Sequence, residues 1–301
     1  MKAIVVHEYG GPEVLKWEEY PDPVPGRGEV LVRVAAASVN PIDDKRRAGL
    51  TKDFYPIQFP GQIGIDMSGT VVKVGQGVVT FTPGNRVFAM ADNTYAELCV
   101  VKANVLADVP EGLDLLQAAA LPLVTTTGNQ LTSATGVTAG QTVFVIGAAG
   151  NVGRSAVFTA KSRRATVIAG VLKRQIDDVK SIGADQYVAT DDDAAIASLP
   201  LLDAVADAVG GGTAEMLMAK VKSGGVFASV IKTPQNAADY PSVKPVFVFS
   251  KFDRETLEFM AEAVRDGKLV IPIGLKLPLS EAAKAQATVE KGGVGKVLLV
   301  A

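Results

Sequence analysis

Apolar and polar positions change their rhythm once along this chain. From Met1 to about Val101, short strand-like runs follow one another: Val30 to Ala36, Gly69 to Val74, Asn85 to Met90 and Tyr95 to Val101. Gly- and Pro-rich separators such as Pro21 to Gly28 and Thr82 to Asn85 lie between them, which predicts a mostly β domain. From about Leu121 the period lengthens, and apolar runs alternate with amphipathic ones. Strands are predicted at Thr142 to Ile146, Thr166 to Val171, Gln186 to Ala189, Ala204 to Ala208 and Val226 to Ile231. Helices are predicted at Asn151 to Ser162, Arg174 to Ile182, Ala214 to Val221 and Arg254 to Asp266. Such alternation argues for a parallel sheet with helices on both faces. A helix at about Ser280 to Glu290 and a strand at Gly295 to Ala301 end the chain, and that strand could complete either part. No internal repeat is evident, so the chain is not a solenoid.

The stretch Thr142 to Gly153, TVFVIGAAGNVG, is the most informative. An apolar strand ends at Gly147, and a glycine-rich turn opens the amphipathic run that follows. Ala148, Gly150 and Gly153 fill the three small-residue positions of a dinucleotide fingerprint. Small residues let backbone approach a pyrophosphate, and Ala149, Gly150, Asn151, Val152 and Gly153 would offer it the N–H groups and positive dipole end of a helix. A glycine turn that joins strand to helix with no ligand is the alternative. About 20 residues further on, a site for NAD wants a carboxylate for the ribose 2′-hydroxyl. Here Leu172, Lys173 and Arg174 stand at that place, and no carboxylate comes before Asp177. Two cations suit a 2′-phosphate, so the cofactor predicted is NADPH. The alternative for Lys173 and Arg174 is a solvated first turn of a helix.

Bulk properties narrow the classes. The 301 residues suffice for two domains. No uninterrupted apolar stretch could span a membrane, and the opening MKAIVVHEYGG is charged too early for a signal peptide. A single cysteine, Cys99, allows no internal disulfide, and a reducing cytoplasm is the simplest compartment. The net charge of −2 and the lack of a dense basic block give no footprint for nucleic acid. The cluster Lys45, Arg46, Arg47 is read as a solvated loop or helix face.

HEYGGPEVL (His7 to Leu15), VAAASVNPIDDKRRAG (Val34 to Gly49), GIDMSGTVVKVG (Gly64 to Gly75), GAAGNVG, SIGAD (Ser181 to Asp185) and GKVLLV (Gly295 to Val300) occur in this order. Together they resemble the medium-chain dehydrogenase/reductase superfamily, and within it the zinc-independent, zeta-crystallin-like quinone oxidoreductases and enone reductases. The resemblance implies an α/β protein in which a GroES-like, mostly β catalytic domain (1–122 plus 271–301) carries an inserted Rossmann domain with a doubly wound parallel sheet (123–270). It also implies a cofactor in the cleft between domains and an assembly that is commonly a homodimer, for which the chain gives no separate argument.

Zinc alcohol dehydrogenases share that fold, so the donor set matters. A catalytic zinc takes three side-chain ligands and a structural zinc commonly four cysteines. This chain has one histidine and one cysteine, His7 and Cys99. It has Gly64, Ile65 and Asp66 where zinc enzymes carry a GHE phrase, and no cysteine between Ser38 and Asp43. No metal is therefore expected, which disfavours alcohol oxidation because nothing would hold an alkoxide. Conjugated acceptors need less help, because charge spreads to a distant oxygen. The substrates predicted are quinones or α,β-unsaturated carbonyl compounds. The alternatives are an enoyl-thioester reductase and a non-catalytic, nucleotide- or RNA-binding relative of zeta-crystallin.

By resemblance Asn40, in SVNP, faces nicotinamide and substrate, and its amide could donate to a developing enolate or to the cofactor ribose; a turn-forming Asn before Pro41 is the alternative. Asp43 and Lys45 are weaker candidates. Tyr55 could line the pocket, donate a proton or simply pack. Thr126 and Thr127 resemble a threonine near the nicotinamide and could equally be an N-cap cluster. Val209 follows a strand at the carboxyl edge of the sheet, and Phe247, Val248 and Phe249 could cover the nicotinamide end. Lys296 resembles a lysine close to the cofactor phosphates. Two departures from the pattern are Val294, where an Arg often stands, and the aliphatic text around Val171 and Leu172, where many relatives have a serine.

Overall fold

A computed structural model describes residues 1–301. The chain divides into two compact units: Met1–Leu123 with Phe252–Asp266 and Ile271–Ala301, and Val124–Lys251 with Gly267–Val270. The expected division put everything from 123 to 270 in the second unit, whereas residues 252–266 group with the first.

In the first unit, β1 (Lys2–Val6), β2 (Lys16–Glu19), β3 (Glu29–Val39), α1 (Pro41–Arg47), β4 (Gly61–Gln62), β5 (Asp66–Val74), β6 (Arg86–Met90), β7 (Leu98–Lys102), β8 (Ala107–Asp108) and α2 (Leu115–Ala119) follow in order. β3 shows how the sequence dictates its surroundings. Its first half alternates, with Val30, Val32 and Val34 buried; its second half, Ala36 to Val39, is buried throughout. Alternation suits a sheet with one wet face, continuous burial a strand covered on both. The helix Ala282–Lys291 supplies cover there, its Ala282 and Ala285 clustering with Ala37 and Val39.

The second unit begins within α3 (Pro122–Thr135) and runs through β9 (Thr142–Ile146), α4 (Asn151–Ser162), β10 (Thr166–Val171), β11 (Gln186–Ala189), α5 (Asp193–Ala197), β12 (Leu202–Asp207), α6 (Gly212–Met218), β13 (Val221–Ser229) and β14 (Lys244–Phe247). All pairings in this sheet are parallel. The strand order is β11-β10-β9-β12-β13-β14, the 3-2-1-4-5-6 order of a doubly wound sheet counted from β9. Period-two alternation sorts the side chains: Val143 and Val145 pack on one face with Ala156, Val157 and Ala160 of α4, and Phe144 and Ile146 on the other with Leu217 and Met218 of α6. Both faces are therefore apolar, which is why TVFVI reads as an unbroken run.

The chain then returns to the first unit as α7 (Arg254–Arg265), β15 (Ile273–Pro278), α8 (Ala282–Lys291) and β16 (Lys296–Val300). β16 lies between β15 and β3, so the last strand completes the β unit, in a sheet ordered β15-β16-β3-β5-β6-β8. No helix is long and apolar enough to cross a membrane.

Three expectations need correction. The helix expected from Arg174 to Ile182 is two 3₁₀ turns, Lys173–Gln175 and Lys180–Ile182. Its apolar residues Ile176, Val179 and Ile182 recur every third position, the period of a 3₁₀ turn rather than of an α-helix. Thr126 and Thr127 lie inside α3, not at an N-cap, because Pro122 opens that helix, where a missing N–H costs nothing. Arg46 and Arg47 are not a solvated face: they are 7% and 3% exposed, and only Lys45 faces water. Arg47 donates through Nη2 to Glu290 at 2.7 Å, while Arg46 lies 3.8 Å over the Tyr55 ring and 3.5 Å from Asp92.

Candidate functional site

The residues expected at the site fall into two groups, one in each unit. In the parallel-sheet unit the chain leaves β9 at Gly147, whose φ of +77° needs glycine, and Gly150 N–H donates to Gly147 O at 2.9 Å before α4 begins. A Cβ on Gly153 would meet Gly147 O at 2.1 Å, so this glycine lets the helix pack on the strand end. A Cβ on Gly150 meets only that same oxygen, at 3.3 Å, and the residue is exposed. Asn151, Val152 and Gly153 open α4, and a helix cannot satisfy the N–H groups of its own first turn.

Around this turn stand further residues of the carboxyl edge. Val209 follows β12, 58% exposed, and a Cβ on Gly147 would touch its Cγ2 at 2.5 Å. The buried Asp207 fixes that loop by accepting from Val209 N and Gly210 N at 2.9 and 2.8 Å, while Ser229 Oγ donates to its other oxygen at 2.7 Å. Lys173 and Arg174 follow β10 and are exposed, with no ion pair to either side chain. Asp191, at the end of the neighbouring strand, accepts Lys173 N–H at 2.8 Å. Phe247 and Phe249 are exposed at the sheet edge, and Val248 N donates to Ser229 O at 2.8 Å. Thr127 Oγ1 shares a 2.5 Å hydrogen bond with Ser250. The Thr126 hydroxyl is buried without a partner.

In the β unit, β3, β5 and β16 bring a buried polar cluster together. Val297 pairs with Val39, so Lys296 lies opposite Asn40. Lys296 Nζ donates to Asn40 Oδ1 at 2.6 Å and stands 3.4 Å from Asp66 Oδ2. Asn40 Nδ2 donates to Asp66 Oδ2 at 2.9 Å and to Ser38 O at 3.3 Å. Asp66 also receives Ser38 Oγ at 2.8 Å and, on Oδ1, the N–H of Leu123 at 2.9 Å in the first turn of α3. Asp43 Oδ2 accepts from Asn40 N and Tyr95 OH, each at 2.9 Å. Burial pushes the Asp43 carboxyl up to about 7, against those two hydrogen bonds. Burial likewise lowers the Lys296 ammonium, with Asp66 and Asp43 opposing.

Two of the residues expected at the site, Asn40 and Lys296, lie within this buried cluster. Asn40 is 1% exposed, and its amide donates to Asp66 Oδ2 and Ser38 O. Lys296 is 3% exposed and turned onto Asn40 and Asp66. The register of β16 against β3 is the reason for both. Tyr55 is half-buried, its hydroxyl donates to Asp92, and burial holds its phenol well above the usual range. His7 is exposed beside Glu18 at 3.0 Å, and Cys99 is buried with its thiol toward Asp92 O.

Sequence reasoning missed Asp66 and Asp207. Each is a lone carboxylate in an apolar strand, GIDMSG and AVADAV, and that anomaly was the available signal, since a buried charge must be paired.

Comparison with known proteins bears on the fold and the family. The model of the alcohol dehydrogenase GroES-like domain matches residues 26–111, and that of the zinc-binding dehydrogenase domain matches 182–299. A chloroplast envelope quinone oxidoreductase homolog of Arabidopsis thaliana is 31% identical over 99% of this chain and 98% of its own. The NADPH-dependent alkenal/one oxidoreductase of the same plant is 35% identical over 62% of this chain and 51% of its own. The quinone oxidoreductase of Coxiella burnetii superposes with a TM-score of 0.90 at 31% identity, covering 100% of this chain and 99% of that one. The chain thus belongs to the medium-chain dehydrogenase/reductase superfamily, in its quinone oxidoreductase-like group, and is an oxidoreductase.

Proposed function

We propose that this chain is an NADPH-dependent, zinc-independent reductase that delivers hydride to quinones or α,β-unsaturated carbonyl compounds. The observation that carries the cofactor half is the exposed pair Lys173 and Arg174 at the carboxyl end of β10. They stand where a ribose-binding carboxylate would favour NADH, and Asp191 accepts the Lys173 backbone N–H. The glycine turn fits a pyrophosphate: Gly153 has no room for a side chain, and Gly150 offers bare exposed backbone. The buried Thr126 hydroxyl lacks a partner and suits a polar group of the nicotinamide end. Val209, Phe247, Val248 and Phe249 offer apolar cover at the same sheet edge. When bound, the nicotinamide would supply the hydride.

The acceptor half is supported by the names of the relatives and by the donor set. Both oxygens of Asp66 are taken by protein donors and an ammonium stands beside it, which repels a metal cation. An alcohol would have no Lewis acid to hold it as alkoxide. Quinones and conjugated carbonyls spread the incoming charge onto oxygen, where hydrogen-bond donors and fixed charge suffice.

The test is NADPH oxidation measured across quinones, enones, enals and enoyl thioesters, with chelator present. Turnover with a quinone or enone, unchanged by chelation, is expected. Activity confined to enoyl thioesters, or lost together with a stoichiometric metal, would overturn the reading. Replacing Lys173 and Arg174 with Ala should weaken NADPH by about 10²-fold or more, since each charge-assisted phosphate contact contributes ~1.5–3 kcal/mol, and leave NADH nearly unchanged. Equal dissociation constants for the two cofactors in the unmodified protein would sink the NADPH assignment.

A further inference from the structure

Arg154, early in α4, is a partly buried cation that no carboxylate pairs. Its Nε donates to Ala149 O in the glycine turn at 3.0 Å, which leaves the rest of the guanidinium fork uncommitted. Burial lowers the guanidinium from its usual range, and no charge opposes that shift. A cation that gives up water without a counter-charge in the protein is built to meet an anion from outside. Two observations place the fork. Gly147 N and Ala148 N both donate to Gly170 O, at 3.0 and 3.1 Å, so the turn that anchors Arg154 lies against the end of β10, just ahead of Lys173 and Arg174. Arg154, Val157 and Lys161 also share one face of α4. Lys161 pairs with Asp185 at 2.7 Å, Asp185 accepts the Val167 N–H of β10 at 2.8 Å, and Val157 belongs to the same apolar cluster as Val171 and Val179. That face is turned to β10 and to the segment after it. The acids of this region are engaged elsewhere: Asp185 with Lys161, Asp177 with Lys180 at 2.8 Å, and Asp191 with the Lys173 backbone.

We propose that Arg154 is a third cation of the seat for the ribose 2′-phosphate, reaching it from α4 while Lys173 and Arg174 reach it from the end of β10, and that it helps to select NADPH over NADH. The inference rests on the NADPH reading and adds to it a residue on the helix. All three side chains belong to the parallel-sheet unit. An arginine suits the part because its planar fork can hold a phosphate through the Nη groups while Nε stays on Ala149 O. The anchor also orders the side chain before the cofactor arrives, so less conformational freedom is lost on binding. Lys173 and Arg174 have no such clasp. Arg154 is thus the preorganised member of the trio, and the other two close on the phosphate when it is present.

Arg154→Ala and Arg154→Gln test this in the full chain, with the dissociation constants of NADPH and NADH measured by calorimetry and thermal melting followed alongside. We expect Arg154→Ala to weaken NADPH about tenfold or more, the scale of one charge-assisted phosphate contact, with NADH within about twofold of the parent. Arg154→Gln can still donate to Ala149 O but carries no charge, so it should lose NADPH affinity to the same extent and melt with the parent. It keeps the test open if Arg154→Ala loosens the turn and melts early. NADPH and NADH weakened equally in both variants would assign Arg154 to the pyrophosphate or to the shape of the turn. Unchanged affinity for both cofactors would make it a clasp of the turn alone. Either result overturns the inference while the parent still prefers NADPH; a parent that binds NADH as tightly overturns the NADPH reading beneath it.

Discussion

Asp43 shows how one side chain can set a pH dependence. Its carboxyl is fully buried, and burial moves it from an ordinary 3.8 to about 7, with Asp66 adding to the shift and Lys296, Asn40 N and Tyr95 OH opposing it. Asp44, next in α1, is also pushed up to about 7, by burial, Asp43 and Glu290. The folded values lie above the unfolded ones, so the folded chain binds these protons more tightly. Their contribution to stability is fully present below about 3.8 and is lost as pH rises through about 7. Asp43→Asn keeps an acceptor for Asn40 N and Tyr95 OH but removes the ionisation. Its melting temperature relative to the parent should therefore rise between pH 5 and pH 8; a difference independent of pH would contradict this account. Such residues were only half legible in the sequence. IDDKRR announces charge, but which charges turn inward depends on partners far along the chain: Glu290 for Arg47, Tyr95 for Asp43 and Lys296 for Asn40.

Among the elements, the strand–turn–helix at Thr142–Ser162 was the most legible, because period, glycine spacing and apolar run all agree there. Its glycines divide the labour, and the division is testable. Gly150→Val places its side chain at the exposed mouth of the turn, so the protein should stay folded and lose dinucleotide binding. Gly153→Ala drives a Cβ to 2.1 Å from Gly147 O and should lower the melting temperature itself. A Gly150→Val variant that binds NADPH normally would show that this turn does not cradle phosphate. The return of β16 to β3 was the least legible, since a short apolar strand satisfies any open sheet edge and only the register decides which. That register places Lys296 beside Asn40.

At the scale of the whole chain, the two-part organisation follows from the change of period, and the mostly β first unit and doubly wound second unit follow from which faces are apolar. The first unit is discontinuous, and its closing strand is central to it: Val297, Leu298 and Leu299 are fully buried. At about 1.5–3 kcal/mol for each such side chain, the three together rival the ~5–15 kcal/mol stability of a typical domain. Deleting residues 296–301 should therefore abolish the cooperative melting of the β unit, as followed by proteolysis of residues 1–123. Its survival as a protease-resistant core would refute the estimate. The order of synthesis adds a consequence. A ribosome makes β3 and its partners β5 and β7, then the whole parallel-sheet unit, and only later β16, which pairs with Ala36–Val39 of β3. During translation the nascent β unit waits with an open edge at β3, an invitation to chaperones or to a neighbouring nascent chain, until its last strand emerges.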